Sequence, residues 1–128
     1  MDRECLGLYV KNLYKSLNFA IEGIRYVIRH ERNARIHLIL AVFALALGFF
    51  LRVTDAQLAA IFFAVIIVFL AEIINTAFEK TLDILSPNHH PQVKIIKDIM
   101  AGAVLVAASG AFIIGLIIYT PYILGLIK

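Results

Sequence analysis

At 128 residues the chain has room for one domain, and 62% of its residues are apolar against 16% charged. That balance excludes a soluble globular protein and leaves an integral membrane protein. A net charge of +3 is too small for a nucleic-acid partner, and a single cysteine, Cys5, excludes an internal disulfide. The start is polar and no small-residue cleavage site follows an early apolar run, so no cleaved leader is expected.

Residues 8–30 read as an amphipathic helix. Leu13, Leu17, Ala20, Ile21, Ile24 and Ile28 recur at spacings of three and four, and Lys11, Lys15, Asn18, Glu22, Arg25 and Arg29 recur opposite them. Basic residues facing an aliphatic stripe suit a helix lying in a membrane interface. A helix packed on a soluble partner has the same pattern, but an apolar span follows almost at once.

His30 to His37 is a dense polar turn. A basic collar at a membrane boundary accounts for Arg32 and Arg35, not for Glu31. The first span is residues 36–51, short for a bilayer unless Arg35 and Arg52 snorkel. Thr54-Asp55 reads as the N-cap of a second span over 56–85. Ser86-Pro87-Asn88-His89-His90-Pro91 breaks that helix, and Lys94 to Asp98 restarts it. A third span covers about 99–119, with Thr120-Pro121 placed to kink or end it and Tyr119 and Tyr122 suited to an outer aromatic belt. Ala103, Ala107 and Ala111 form a row of small residues that suits close helix contact in an oligomer.

The fold class expected is therefore all-α: three transmembrane helices plus an N-terminal amphipathic interfacial helix, in one domain over 1–128. Basic residues cluster at Arg3, Lys11, Lys15, Arg25, Arg29, Arg32 and Arg35, and again at Lys80, Lys94 and Lys97, whereas the first interspan turn holds only Arg52 and Asp55. The positive-inside rule puts both clusters and the N-terminus in the cytoplasm.

The informative stretch runs from Ala71 to Asp83. Glu72, Asn75, Glu79 and Asp83 fall within an arc of about 80° on a helix, a polar stripe about 16 Å long that continues an apolar run. A charge at the bilayer centre costs about 3 kcal/mol on insertion scales, so such a stripe is expected to face a cavity, a partner helix or a cation. Glu31 and Lys97-Asp98 are expected at the same membrane face. Carboxylates from two helices can hold a hard divalent cation, with phosphate oxygens and water as the other ligands, and a lysine can balance phosphate charge. Ion pathways use the same residue types, so a small proton- or cation-conducting protein stays open at this point, as does a structural oligomer whose stripe only joins helices. No Walker or dinucleotide glycine loop is present, and His89-His90 are read as a solvated loop before a metal site.

Glu72-Ile-Ile-Asn75-Thr-Ala-Phe-Glu79, Asp83, Lys97-Asp98 followed by Met100-Ala-Gly-Ala-Val-Leu, and Glu31-Arg-Asn-Ala-Arg35 together resemble the signature of the prokaryotic diacylglycerol kinases. The resemblance covers nearly the whole chain. The Glu-Arg-Asn-x-Arg-Ile-His and His-Pro-x-x-Lys-Ile-x-Lys-Asp stretches look more like the undecaprenol kinase branch than the enteric branch acting on diacylglycerol. It implies a homotrimer of three-span subunits in the bacterial inner membrane, with active sites between subunits at the cytoplasmic interface. It also implies ATP as donor, Mg²⁺ as cofactor, and a membrane lipid alcohol, undecaprenol or diacylglycerol, as acceptor. By position, Glu72 matches the catalytic proton acceptor on the lipid hydroxyl, Glu31 and Glu79 the metal carboxylates, and Lys97 and Asp98 nucleotide contacts. Asn75 matches a residue beside the transferred phosphate, and His90 matches within the loop over the nucleotide. Phe19 stands where enteric members carry a tyrosine.

Overall fold

The computed structural model describes residues 3–86 and 90–127, and all of its regular structure is helical: α1 (Arg3–His30), α2 (Arg32–Phe50), α3 (Asp55–Leu85) and α4 (Pro91–Ile127). Three of the four, α2, α3 and α4, are long and apolar enough to cross a membrane. α3 is the centre of the arrangement. It packs most extensively on α4, then on α2, and the end of α1 touches α2 and α3.

The joints follow from local chemistry. Between α1 and α2 only Glu31 is non-helical, with φ −100° and ψ 121°, so the polar turn expected over residues 30–37 narrows to one corner residue. His30 closes α1 by stacking on Tyr26 at 4.3 Å between ring centroids, with its Nδ1 2.9 Å from the Tyr26 carbonyl. α2 ends where Arg52 takes a left-handed conformation, φ 52°. The Val53 amide donates to the Gly48 carbonyl and the Arg52 amide to that of Phe49, both at 3.2 Å, which is the Schellman pattern with an arginine where glycine is usual. Thr54 and Gln57 then form a reciprocal capping box at the start of α3, as Thr54-Asp55 led one to expect.

α4 departs from expectation. The restart at Lys94 and the span over 99–119 are one helix that begins at Pro91 and continues through Pro121 to Ile127. Pro91 suits the first helical position because its missing N–H has no helical partner there. Pro121 deletes one internal bond, yet the chain beyond it stays apolar. A proline is tolerated in a membrane helix, and the turn before it carries an added bond, the Thr120 hydroxyl donating to the Leu116 carbonyl at 2.6 Å.

The two belt tyrosines also bond within the bundle. Tyr119 donates to the Ala44 carbonyl at 2.6 Å and Tyr122 to Gln57 Oε1 at 2.7 Å, tying α4 to α2 and to the α3 capping box. Gly48 makes room for this: a Cβ there would sit 3.2 Å from Leu58 Cδ1 and 3.5 Å from the Tyr119 hydroxyl. Of the small-residue row, Ala107 and Ala111 are half-buried and Ala103 is exposed within the single chain. On α1, Leu13, Leu17, Ile21 and Ile24 are exposed; among the described side chains Val27 is buried and Ile28 half-buried, so most of the apolar stripe of that helix finds no cover inside the chain.

Candidate functional site

The buried face of α3 is Ile61, Ala64, Val68, Glu72, Asn75 and Thr76. The first three are the floor of an apolar core, and the same helical face then turns polar without leaving the interior. Glu72 is 2% exposed, Asn75 7% and Thr76 3%. Glu79 is half-buried and Asp83 exposed, so the stripe rises from the interior to the surface. Asn75 Nδ2 donates to Glu79 Oε1 at 3.3 Å, while Asn75 Oδ1 is buried with no partner. A buried acceptor left unpaired costs about 1–3 kcal/mol, so it calls for a donor from outside the chain.

Glu31 reaches this region from the α1–α2 corner. Its carboxylate lies 3.3 Å from the Lys80 ammonium, beside Glu79 in sequence, which puts Glu31 and Glu79 at one level. Glu31, Glu79 and His37 are the titratable groups near enough to Glu72 to act on it electrostatically. On the α4 side, Lys97 Nζ donates to Asp83 Oδ1 at 2.6 Å and Lys94 Nζ to Asp98 Oδ2 at 2.7 Å. Neighbours in sequence, Lys97 and Asp98 therefore serve different pairs. His90 caps α4: its carbonyl accepts from the Val93 amide at 3.0 Å and its Nδ1 from the Gln92 amide at 3.3 Å. His89, Pro87 and Asn88 lie outside the described residues. Phe19 is 67% exposed on α1.

An apolar groove of about 690 Å³ runs between α2, α3 and α4. Ala41, Ala44, Val68, Ala111 and Gly115 are among its lining residues, and His37 and Ile73 stand at the end nearest Glu72. Among the described residues no three His, Cys, Asp or Glu side chains cluster as a ready-made metal cage. Two carboxylates, Glu31 and Glu79, together with the orphan Asn75 oxygen, fit a hard cation that takes most of its ligands from phosphate and water. Spacing does not single out Lys80, Thr76 or His37. Lys80 reads only as one of the cytoplasmic basic residues, and its pairing with Glu31 depends on a corner that only the fold reveals.

The profile of the family described as prokaryotic diacylglycerol kinase matches residues 18–119. An undecaprenol kinase of Bacillus subtilis (strain 168) is 38% identical over 112 residues, 88% of this chain and 91% of that protein. A diacylglycerol kinase of Synechocystis sp. is 34% identical over 116 residues, 90% of this chain and 66% of that protein. A diacylglycerol kinase of Helicobacter pylori (strain 26695) is 29% identical over 110 residues, 86% of this chain and 80% of that one. With a match of that length, all four helices in place and the polar stripe at the end of an apolar groove, the chain belongs to the prokaryotic diacylglycerol kinase family and is a membrane lipid kinase.

Proposed function

We propose that the chain transfers the γ-phosphoryl group of ATP to the terminal hydroxyl of a membrane lipid alcohol, undecaprenol before diacylglycerol. The observation that carries this reading is the Glu72–Asn75 pair. An ionisable side chain and an unsatisfied amide oxygen are buried where an apolar groove ends, which is where a lipid would present its polar terminus. The 38% identity to an undecaprenol kinase supports the polyprenol as acceptor, and diacylglycerol is the alternative supported by the other two relatives.

Phosphoryl transfer asks for positioning and charge neutralisation more than for covalent chemistry. Glu72 takes the hydroxyl proton as the lipid oxygen attacks. Asn75 stands beside the transferred group, and its unpartnered oxygen is placed to accept from the lipid hydroxyl or to meet the cation. Glu31 and Glu79 are the residues that would hold Mg²⁺, which neutralises charge on the phosphate oxygens. Lys97 meets the phosphates, and Asp98 and His90 complete the nucleotide contacts. Lys97 and Asp98 each carry an exposed ion pair, with Asp83 and Lys94, that nucleotide binding would exchange. Such exposed pairs are weak enough to give way.

The same reading makes the whole chain one kinase domain in a bacterial inner membrane, assembled as a homotrimer, with the N-terminus and the Glu31/Lys97 end cytoplasmic. α1 lies on the membrane surface with its uncovered stripe of Leu13, Leu17, Ile21 and Ile24 in the lipid. The test is transfer of label from γ-labelled ATP by purified protein, with undecaprenol and diacylglycerol side by side. Labelled undecaprenyl phosphate is the expected product. Faster labelling of diacylglycerol reverses the substrate assignment, and no labelling of either overturns the reading.

A further inference from the structure

A base buried as deeply as Glu72 must lose its proton after every turnover, and it is 2% exposed. The inference below rests on the kinase reading above. Three described groups act electrostatically on Glu72: His37 from α2, Glu31 from the corner before α2, and Glu79 from α3, with none from α4. Glu31 is already paired with Lys80, and Glu79 accepts from Asn75. As proposed cation ligands, both have their oxygens engaged while nucleotide is bound, so neither is free to carry a proton away.

His37 differs in position and in chemistry. It is half-buried and is the only imidazole lining the apolar groove. It shares that lining with Phe69, Leu70 and Ile73, the α3 residues on either side of Glu72. The register agrees. α2 and α3 run antiparallel, with Gly48 against Leu58 towards one end and Glu31 paired with Lys80 at the other; at equal rise per residue, His37 falls level with about residues 69–74. One turn before it on α2, Ala34 is 0% exposed, so this face of the helix is turned into the protein. Imidazole is the side chain that gains and loses protons most readily near neutral pH.

We infer that His37 is the proton acceptor for Glu72 and carries the hydroxyl proton out of the buried site. In the transfer, the lipid O–H bond breaks and its oxygen bonds to the γ-phosphorus, while the bond from that phosphorus to the departing ADP oxygen breaks. The proton rests on the Glu72 carboxyl. It then passes, directly or through one water, to the unprotonated ring nitrogen of His37, which restores the Glu72 carboxylate. The imidazolium gives the proton to water at the polar end of the bundle. One proton leaves per phosphoryl group transferred, and nothing is oxidised or reduced.

The experiment compares the first turnover with the steady state, using full-length protein in lipid bilayers with undecaprenol as acceptor. His37→Gln is expected to keep Mg²⁺-ATP affinity and a first-turnover rate within about twofold of the parent, because the relay acts only after the phosphoryl group has moved. Its steady-state rate is expected to fall at least about tenfold. His37→Ala is expected to lose the same rate and to regain it when free imidazole is added. A steady-state rate for His37→Gln within about twofold of the parent overturns the inference. So does loss of the first turnover along with the steady state in a variant that still binds nucleotide and does not respond to imidazole. Should the parent protein label no lipid alcohol at all, the kinase reading fails instead, and the two failures are told apart.

Discussion

Glu72 and Glu79 share one face of α3, two turns apart, and differ chiefly in depth. Glu72 is buried beside the end of the groove, and Glu79 is half-buried with an amide donor of its own from Asn75. Their losses should therefore differ in kind. Glu79→Gln is expected to weaken Mg²⁺-ATP binding, whereas Glu72→Gln should spare nucleotide affinity and slow a single turnover by about 10²–10⁴. Nucleotide titration and rapid-quench measurements on the two variants check this, and the opposite pattern would show the roles reversed. At this scale the sequence was informative where a residue's chemistry conflicts with its surroundings. Glu72 and Asn75 stand out because nothing in an apolar span asks for them. Lys80 and His37 do not stand out, because a lysine near a membrane boundary and a histidine in a basic collar already have ordinary explanations. Their neighbours, Glu31 and Glu72, lie far away in the chain and come near only through the α1–α2 corner and the α2–α3 register.

Among the elements, the turn from α2 to α3 carries the clearest local strain. Arg52 sits at φ 52°, a conformation that costs a side-chain-bearing residue about 1–2 kcal/mol and a glycine almost nothing. Arg52→Gly is thus expected to stabilise the fold by about 0.5–1 kcal/mol, read as a later unfolding midpoint in detergent–denaturant titration. A lower midpoint would mean that the arginine side chain contributes more than its backbone strain costs. The elements themselves were largely legible, since apolar run length and cap chemistry decide them, and Thr54 caps α3 as its type suggests. α4 was less so. Pro121 carries a local signal to kink or stop, and the helix continues because the residues beyond it stay apolar, which a local rule does not weigh.

For the molecule as a whole, the proposed orientation rests on charge and the proposed trimer on what the single chain leaves uncovered. Cysteine substitutions at Asp55 and Gln92, labelled from either side of sealed vesicles, are expected to place Gln92 in the cytoplasm and Asp55 outside. A Gln92 reached only from outside would separate the site from cytoplasmic ATP. Ala107 is half-buried within the chain, on a helix whose neighbours Leu105 and Val106 are exposed. Ala107→Leu is expected to weaken the proposed trimer in mild detergent, measured by sedimentation or native mass, because small residues permit the closest helix approach. An unchanged trimer would move the subunit contact to another face.

The corner at Glu31 acts as a lever. One non-helical residue joins α2 to a helix of 28 residues, which is about 42 Å long at 1.5 Å per residue. With the near end held by Val27 and by the Glu31–Lys80 pair, a rotation of roughly 10° at that joint carries the far end of α1 through about 7 Å, by the same helix length. The fulcrum residue is also a proposed cation ligand. Any rotation that followed from a change in what its carboxylate holds, Lys80 or a metal, would therefore be largest at the tip of α1, some 40 Å from the site.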